Sequence, residues 1–272
     1  MGNYPAALSI AGSDSGGSAG IQADLRTFAF HLVHGASVVT CVTAQNTLGV
    51  TKVVGMQPEI VAAQMTAVAE DLNIKAVKLG MLLNREIMLT VANELKKWHF
   101  ANLILDPVMV SRTGSQLIDQ QAITTLIEEL LPLASLVTPN RYEAEILAGM
   151  EIESISDMHK ASSKIYDLGA KTVLIKGGAM SGDLQGVDLW FDGQAWYVLK
   201  TETVLTKDNN GTGCTLTAAI AANLALGKQL FTSVVQAKEY VTQALKYSLD
   251  VGKGTGPVGH FFPLLDRENE YY

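Results

Sequence analysis

The chain has 272 residues, of which 48% are hydrophobic and 17% charged, with a net charge of −7 and two cysteines. These values fit a globular protein with a large core and exclude a disordered chain. The absence of a basic tract argues against a nucleic-acid surface, and two cysteines are too few for a disulfide framework, although one bond stays open.

The N-terminus lacks a basic start and a long apolar region, so no signal peptide is expected, and no apolar run is long enough to span a bilayer. A cytoplasmic protein with two reduced thiols, Cys41 and Cys214, is the simplest expectation.

Residues 6–12 (AALSIAG) read as a buried strand, followed by a Gly/Ser loop. Residues 20–35 read as a helix with Ile21, Leu25, Phe28 and Leu32 on one face and Gly35 at its end. Residues 36–44 and 50–56 are β-branched and extended. A helix opens at Pro58 and runs to about 72. Strand 75–80, helix 84–99 and strand 102–107 follow, the last stopped by Pro107. Helix 119–132, strand 134–140, helices 141–149 and 156–170 and strand 171–178 continue the alternation. Residues 187–200 hold two alternating runs around Asp192-Gly193, a hairpin signal. Helices 212–227 and 231–251 and a Gly/Pro-rich tail complete the chain.

This order predicts an α/β fold: a central, mostly parallel sheet with helices on both faces and a small antiparallel hairpin at one edge. No linker or repeat interrupts it, so one domain is expected over 1–272. Ligands of such sheets bind at the carboxyl ends of the strands. The chemistry-bearing residues fall there: Gly12–Gly20, Gln45, Gly80-Met81, Asp106, Asn140, Lys176 and Gly211–Cys214.

Each group has two readings. Gly211-Thr212-Gly213 before an Ala-rich helix is either an anion cradle or a plain turn. Cys214, in the first turn, is either a proton acceptor with a lowered pKa or a small core residue; local physics favours the core residue. Asp106 at a strand end either faces Mg²⁺ or caps a turn. Asn140 and Glu143 share a face at a helix start, which also fits a capping box. Lys176 either reaches a phosphate or is solvated. No histidine has metal-ligand spacing, which argues against zinc.

Taken together, "IAGSDSGGSAGIQADL", "VTAQNT", "KLGML", "LDPVMVSRTG", "TPNRYEAE", "VLIKGG", "NGTGCTLTAAIAANLALG" and "GTGPVGHF" resemble the hydroxymethylpyrimidine/phosphomethylpyrimidine kinases of thiamine biosynthesis, in the ribokinase-like superfamily. The resemblance runs from about residue 6 to 263. It implies a three-layer αβα kinase domain, usually a homodimer, using ATP and Mg²⁺ to phosphorylate an aminopyrimidine alcohol and then its monophosphate.

By the same resemblance, Asp24 and Gln45 hold the pyrimidine edge, with Gly12, Val42, Met81 and Val108 around its ring. Asn140, Lys176, Thr212 and Gly213 hold ATP phosphates, Gly211 and Gly213 frame the moving phosphoryl group, Asp106 and Glu143 organise Mg²⁺, and Cys214 is the base. Three positions depart from the family: Asn210 stands where His is common, and Arg112 and Thr113 where Lys and Ser are frequent. A pyridoxal or pyridoxine kinase is the alternative, and a non-catalytic vitamin sensor a third reading. Residues 179–186 are the expected mobile flap.

Overall fold

Apolar runs separated by helical segments pair in parallel, because a helix returns the chain to the same end of the sheet. The computed structural model describes residues 4–110 and 118–268. Its strands are β1 (Ala6–Asp14), β2 (His34–Asn46), β3 (Gly49–Gly55), β4 (Ile74–Leu79), β5 (Leu103–Leu105), β6 (Leu136–Val137), β7 (Val173–Ile175), β8 (Asp188–Phe191) and β9 (Trp196–Leu199). All belong to one sheet in the order β3-β2-β1-β4-β5-β6-β7-β8-β9. The six from β2 to β7 run parallel, and both edges are antiparallel, so β3 forms a second edge beyond the expected β8–β9 hairpin.

Two helical layers cover the sheet. Helices α1 (Gly20–Phe30), α7 (Thr212–Ala225) and α8 (Leu230–Lys246) pack on Ala7, Ala76, Ile104, Leu136 and Leu174. Helices α2 (Pro58–Asp71), α3 (Arg85–Trp98), α4 (Gln120–Thr125), α5 (Arg141–Ala148) and α6 (Ile155–Asp167) pack on Leu8, Ile10, Val77, Leu79, Leu105 and Val137. Alternation along each strand therefore decides which layer a side chain meets. Ser9 and Lys78 fall in step with Ala7 and Ala76, on the α1/α7 side. Helix α7 is buried along Thr215–Ala225, and its alanines let it lie close to the sheet. Ala219→Leu there would overpack the layer and cost about 1–3 kcal/mol.

Some boundaries differ from expectation. Helix α1 stops at Phe30, not at Gly35, because Leu32 turns left-handed (φ 59°) and the Val33 N–H donates to Phe28 O. Gly35 instead lies in β2. Helix α8 ends at Lys246, before 251, and the tail contains a short α9 (Phe262–Glu268). The β8–β9 turn spans four residues, because Asp192 Oδ1 accepts N–H groups from Gln194 and Ala195.

Candidate active site

The strand order reverses about β1, which lies between β2 and β4, and in such sheets the ligand crevice falls at the carboxyl ends of the strands at that point, here β1 and β4. Its floor is tight. A Cβ on Gly12 would stand 2.7 Å from Cys41 Sγ and 2.9 Å from Met81 Cε, so these three residues meet with no room for a further side chain. Thr40 Oγ1 donates to Met81 O at 2.7 Å and fixes that turn. Val42 is 48% exposed and Val108 half-buried. Gln45 is half-buried; its N–H donates to Ser15 Oγ, and that hydroxyl donates to Gln45 O, both at 2.8 Å. Asp14 organises the intervening loop by accepting N–H groups from Gly16, Ser18 and Ala19 at 2.8–2.9 Å.

The Asp24 carboxylate is fully buried. Oδ2 accepts from Lys78 Nζ at 2.8 Å and from Ser9 Oγ at 2.6 Å, while Oδ1 has no hydrogen-bond partner. Burial pushes the carboxyl up, and Lys78 and Ser9 oppose it. Burial also works against the Lys78 ammonium, but Asp24, Cys214 and Asp106 hold it above the usual lysine range.

On the other side, α7 opens at Gly211 (φ 83°) with no side chain capping it. Only glycine fits that position, because a Cβ would overlap Ser18 O as well as strain the backbone. The helix start thus turns uncapped amides and its positive dipole end toward the crevice. Thr212 Oγ1 donates back to Asn209 O at 2.6 Å. Lys176 Nζ lies 3.5 Å from where a Cβ on Gly213 would be, and donates to Asp106 Oδ1 at 2.6 Å.

Asn140 and Glu143 form a reciprocal capping box at the start of α5: Glu143 N donates to Asn140 Oδ1 at 3.0 Å and Asn140 N to Glu143 Oε2 at 2.8 Å. The Asn140 carbonyl oxygen is therefore committed to the helix. Burial pushes Glu143 up to about 7, against the pull of Lys176.

Cys214 is half-buried and free, as is the buried Cys41. Burial raises its thiol above the usual range, opposed most by the Lys78 ammonium and less by the Gly20 N–H. The lowered pKa expected from the helix dipole is thus reversed by desolvation.

Arg112 and Thr113 lie outside the described residues. Asn210 pairs through its backbone with Gly256 and Val258. Residues 179–186 are tied at both ends: Met180 is buried, and Lys238 Nζ donates to Gly186 O at 2.8 Å and to Asp188 Oδ2 at 2.7 Å. Lys78 escaped the sequence reading, because its partner Asp24 lies 54 residues away. His260, whose Nε2 meets Thr215 Oγ1 at 2.9 Å, escaped it too.

No helix among the described residues is long and apolar enough to cross a membrane. A family model described as phosphomethylpyrimidine kinase matches residues 14–259. A hydroxymethylpyrimidine/phosphomethylpyrimidine kinase of Synechococcus elongatus is 60% identical over 96% of this chain and 99% of its own. Among solved structures, a pyridoxal kinase of Bacillus subtilis in complex with ADP covers 95% of this chain and 98% of its own at 36% identity and TM-score 0.90. A phosphomethylpyrimidine kinase of Clostridium difficile covers 89% of this chain and 99% of its own at 41% identity and TM-score 0.79. Sequence and architecture agree over nearly the whole length, and the chain belongs to the phosphomethylpyrimidine kinase family, on a ribokinase-like fold.

Proposed function

We propose that this chain transfers the γ-phosphoryl group of ATP to the hydroxymethyl oxygen of 4-amino-5-hydroxymethyl-2-methylpyrimidine, and then phosphorylates that monophosphate, in thiamine biosynthesis. The observation that carries this reading is the meeting of Cys214, the uncapped start of α7 and the Lys176–Asp106 pair at one rim of the sheet. Phosphoryl transfer needs positioning and charge neutralisation more than a strong base. In this reading the amides of Gly213 and Cys214, with Lys176, bind the phosphoryl oxygens. Gln45 and the Gly12–Met81 floor orient the pyrimidine. The hydroxymethyl O–H proton passes to the thiolate form of Cys214, which burial makes the minor form, as the oxygen bonds phosphorus and the bond from phosphorus to ADP breaks.

Asp106 and Glu143 supply two buried carboxylates, and the described residues hold no cluster of three metal-binding side chains. That donor set fits Mg²⁺ held mostly by water and phosphate. Bound there, Mg²⁺ would neutralise phosphate charge.

A homodimer belongs to the same reading. It is supported by β3, exposed along its whole length, with Val50, Val53 and Val54 bare to solvent. The cytoplasm, where ATP is plentiful and thiols stay reduced, suits the two free cysteines.

A pyridoxal kinase is the second reading, favoured by the Bacillus subtilis structure but at 36% identity against 60% for the pyrimidine kinase. ADP release measured with each alcohol decides between them. Faster turnover of the pyrimidine is expected; faster turnover of pyridoxal would overturn the assignment.

A further inference from the structure

A buried ion pair joins α8 to β8, outside the groups that the proposed reaction uses. Lys238 Nζ of α8 donates to Asp188 Oδ2 of β8 at 2.7 Å, and the two side chains are only 10% and 7% exposed. Such a pair is weak evidence for stability, because desolvating two charges offsets most of their attraction. What the pair holds is more informative.

Its bonds close on one residue. Asp188 Oδ1 accepts the Gly177 N–H at 2.8 Å. Lys238 Nζ also donates to Gly186 O at 2.8 Å, and the Gly186 N–H donates to Gly177 O at 2.9 Å. Four hydrogen bonds thus run from Gly177 through Asp188, Lys238 and Gly186 and back to Gly177. Gly177 has no slack inside that ring: a Cβ there would overlap Val187 O, so the turn lies against the start of β8.

Gly177 follows Lys176. The Lys176 N–H donates to Pro139 O at 2.8 Å, so the backbone of the lysine is pinned by its own amide on the β6 side and by the next amide on the β8 side. From that point the side chain reaches Asp106 Oδ1, 2.6 Å away, and the start of α7. Lysine has a long flexible stem, so the place of its ammonium depends on where its backbone is fixed.

We propose that Lys238 is a positioning residue for phosphoryl transfer: through Asp188 and Gly186 it fixes the Gly177 turn and so sets the point from which Lys176 reaches the ATP phosphates. This rests on Lys176 binding phosphate.

Kinetics for both substrates, measured well below the melting temperature of each variant, test it. Lys238→Met should lower kcat about tenfold and raise KM for ATP about fivefold, leaving KM for the pyrimidine within about twofold. A merely structural pair would shift the melting temperature without that split. Lys176→Met should silence the effect: adding the Lys238 substitution to it should move KM for ATP by less than about twofold, because no lysine is left to aim. Lys238→Met/Asp188→Asn removes both charges, keeps an oxygen for the Gly177 N–H and still lacks the bridge to Gly186 O. It serves if Lys238→Met does not fold, and its KM for ATP should rise about threefold.

A wild-type KM for ATP in whichever Lys238 variant folds, equal rises in KM for ATP and for the pyrimidine, or effects at Lys176 and Lys238 that multiply in full, each overturn the proposal. Failure of the underlying reading looks different: Lys176→Met alone would leave KM for ATP at the wild-type value.

Discussion

Lys176 Nζ stands 2.6 Å from Asp106 Oδ1, so the lysine suited to phosphate and the carboxylate suited to Mg²⁺ hold one another. Both are nearly buried, and neither side chain moves toward a ligand without loosening the other.

Removing one member should show this coupling. Lys176→Met strands Asp106 and should destabilise the fold by about 3 kcal/mol in urea titrations, while raising KM for ATP roughly tenfold or more. An ATP KM equal to wild type would remove Lys176 from phosphate binding.

Cys214→Ala should reduce kcat about 10²-fold, with KM for both substrates little changed. Cys214→Asp should recover part of the loss by returning a base to the same helix turn. A fully active alanine variant would leave the thiol as packing.

Gly12→Ala tests the crevice floor. The new methyl would crowd Cys41 Sγ and Met81 Cε, both under 3 Å away. Displacing Met81 should raise KM for the pyrimidine about tenfold at a stability cost of about 1–2 kcal/mol. An unchanged KM would place the ring elsewhere.

His260 gives a pH dependence with a definite sign. Burial lowers its pKa from 6.5 to about 4, so the native state refuses a proton that the unfolded chain accepts. Its contribution is whole above 6.5 and is lost as pH falls toward 4, about 2 kcal/mol of it by pH 5. Between pH 7.5 and pH 5, His260→Gln should lose about that much less stability than wild type in urea unfolding. Equal losses in the two proteins would refute it.

Val54→Lys places a charge in the exposed apolar face of β3. Light scattering should then report a monomer where wild type is a dimer. A wild-type monomer would dispose of the edge as a contact between copies.

Much of the fold was legible because strand–helix alternation is a local periodic signal. The rim residues were legible because strands end in recognisable glycines, prolines and asparagines. What escaped depends on partners far along the chain. Lys78 in "IKAVKLG" looks like a solvated strand lysine until Asp24, 54 residues earlier, is placed beneath it. The end of α1 hinges on Leu32 adopting a left-handed backbone, which its side chain does not advertise. The thiol's direction was misjudged because a helix dipole is visible in a sequence and desolvation is not.

The contact of Gly211 with the Ser18 carbonyl has a consequence for the reaction coordinate. In the proposed reaction one loop belongs to the side that receives the alcohol, the other to the side that receives the nucleotide, and they meet backbone to backbone. The gap between attacking oxygen and phosphorus is then gauged by a van der Waals contact, not by how far a domain swings. Near-attack spacing is tight enough that ångström errors cost orders of magnitude. In that reading a single methyl at Gly211 would act as a shim, lengthening the stroke of the reaction and straining a left-handed backbone.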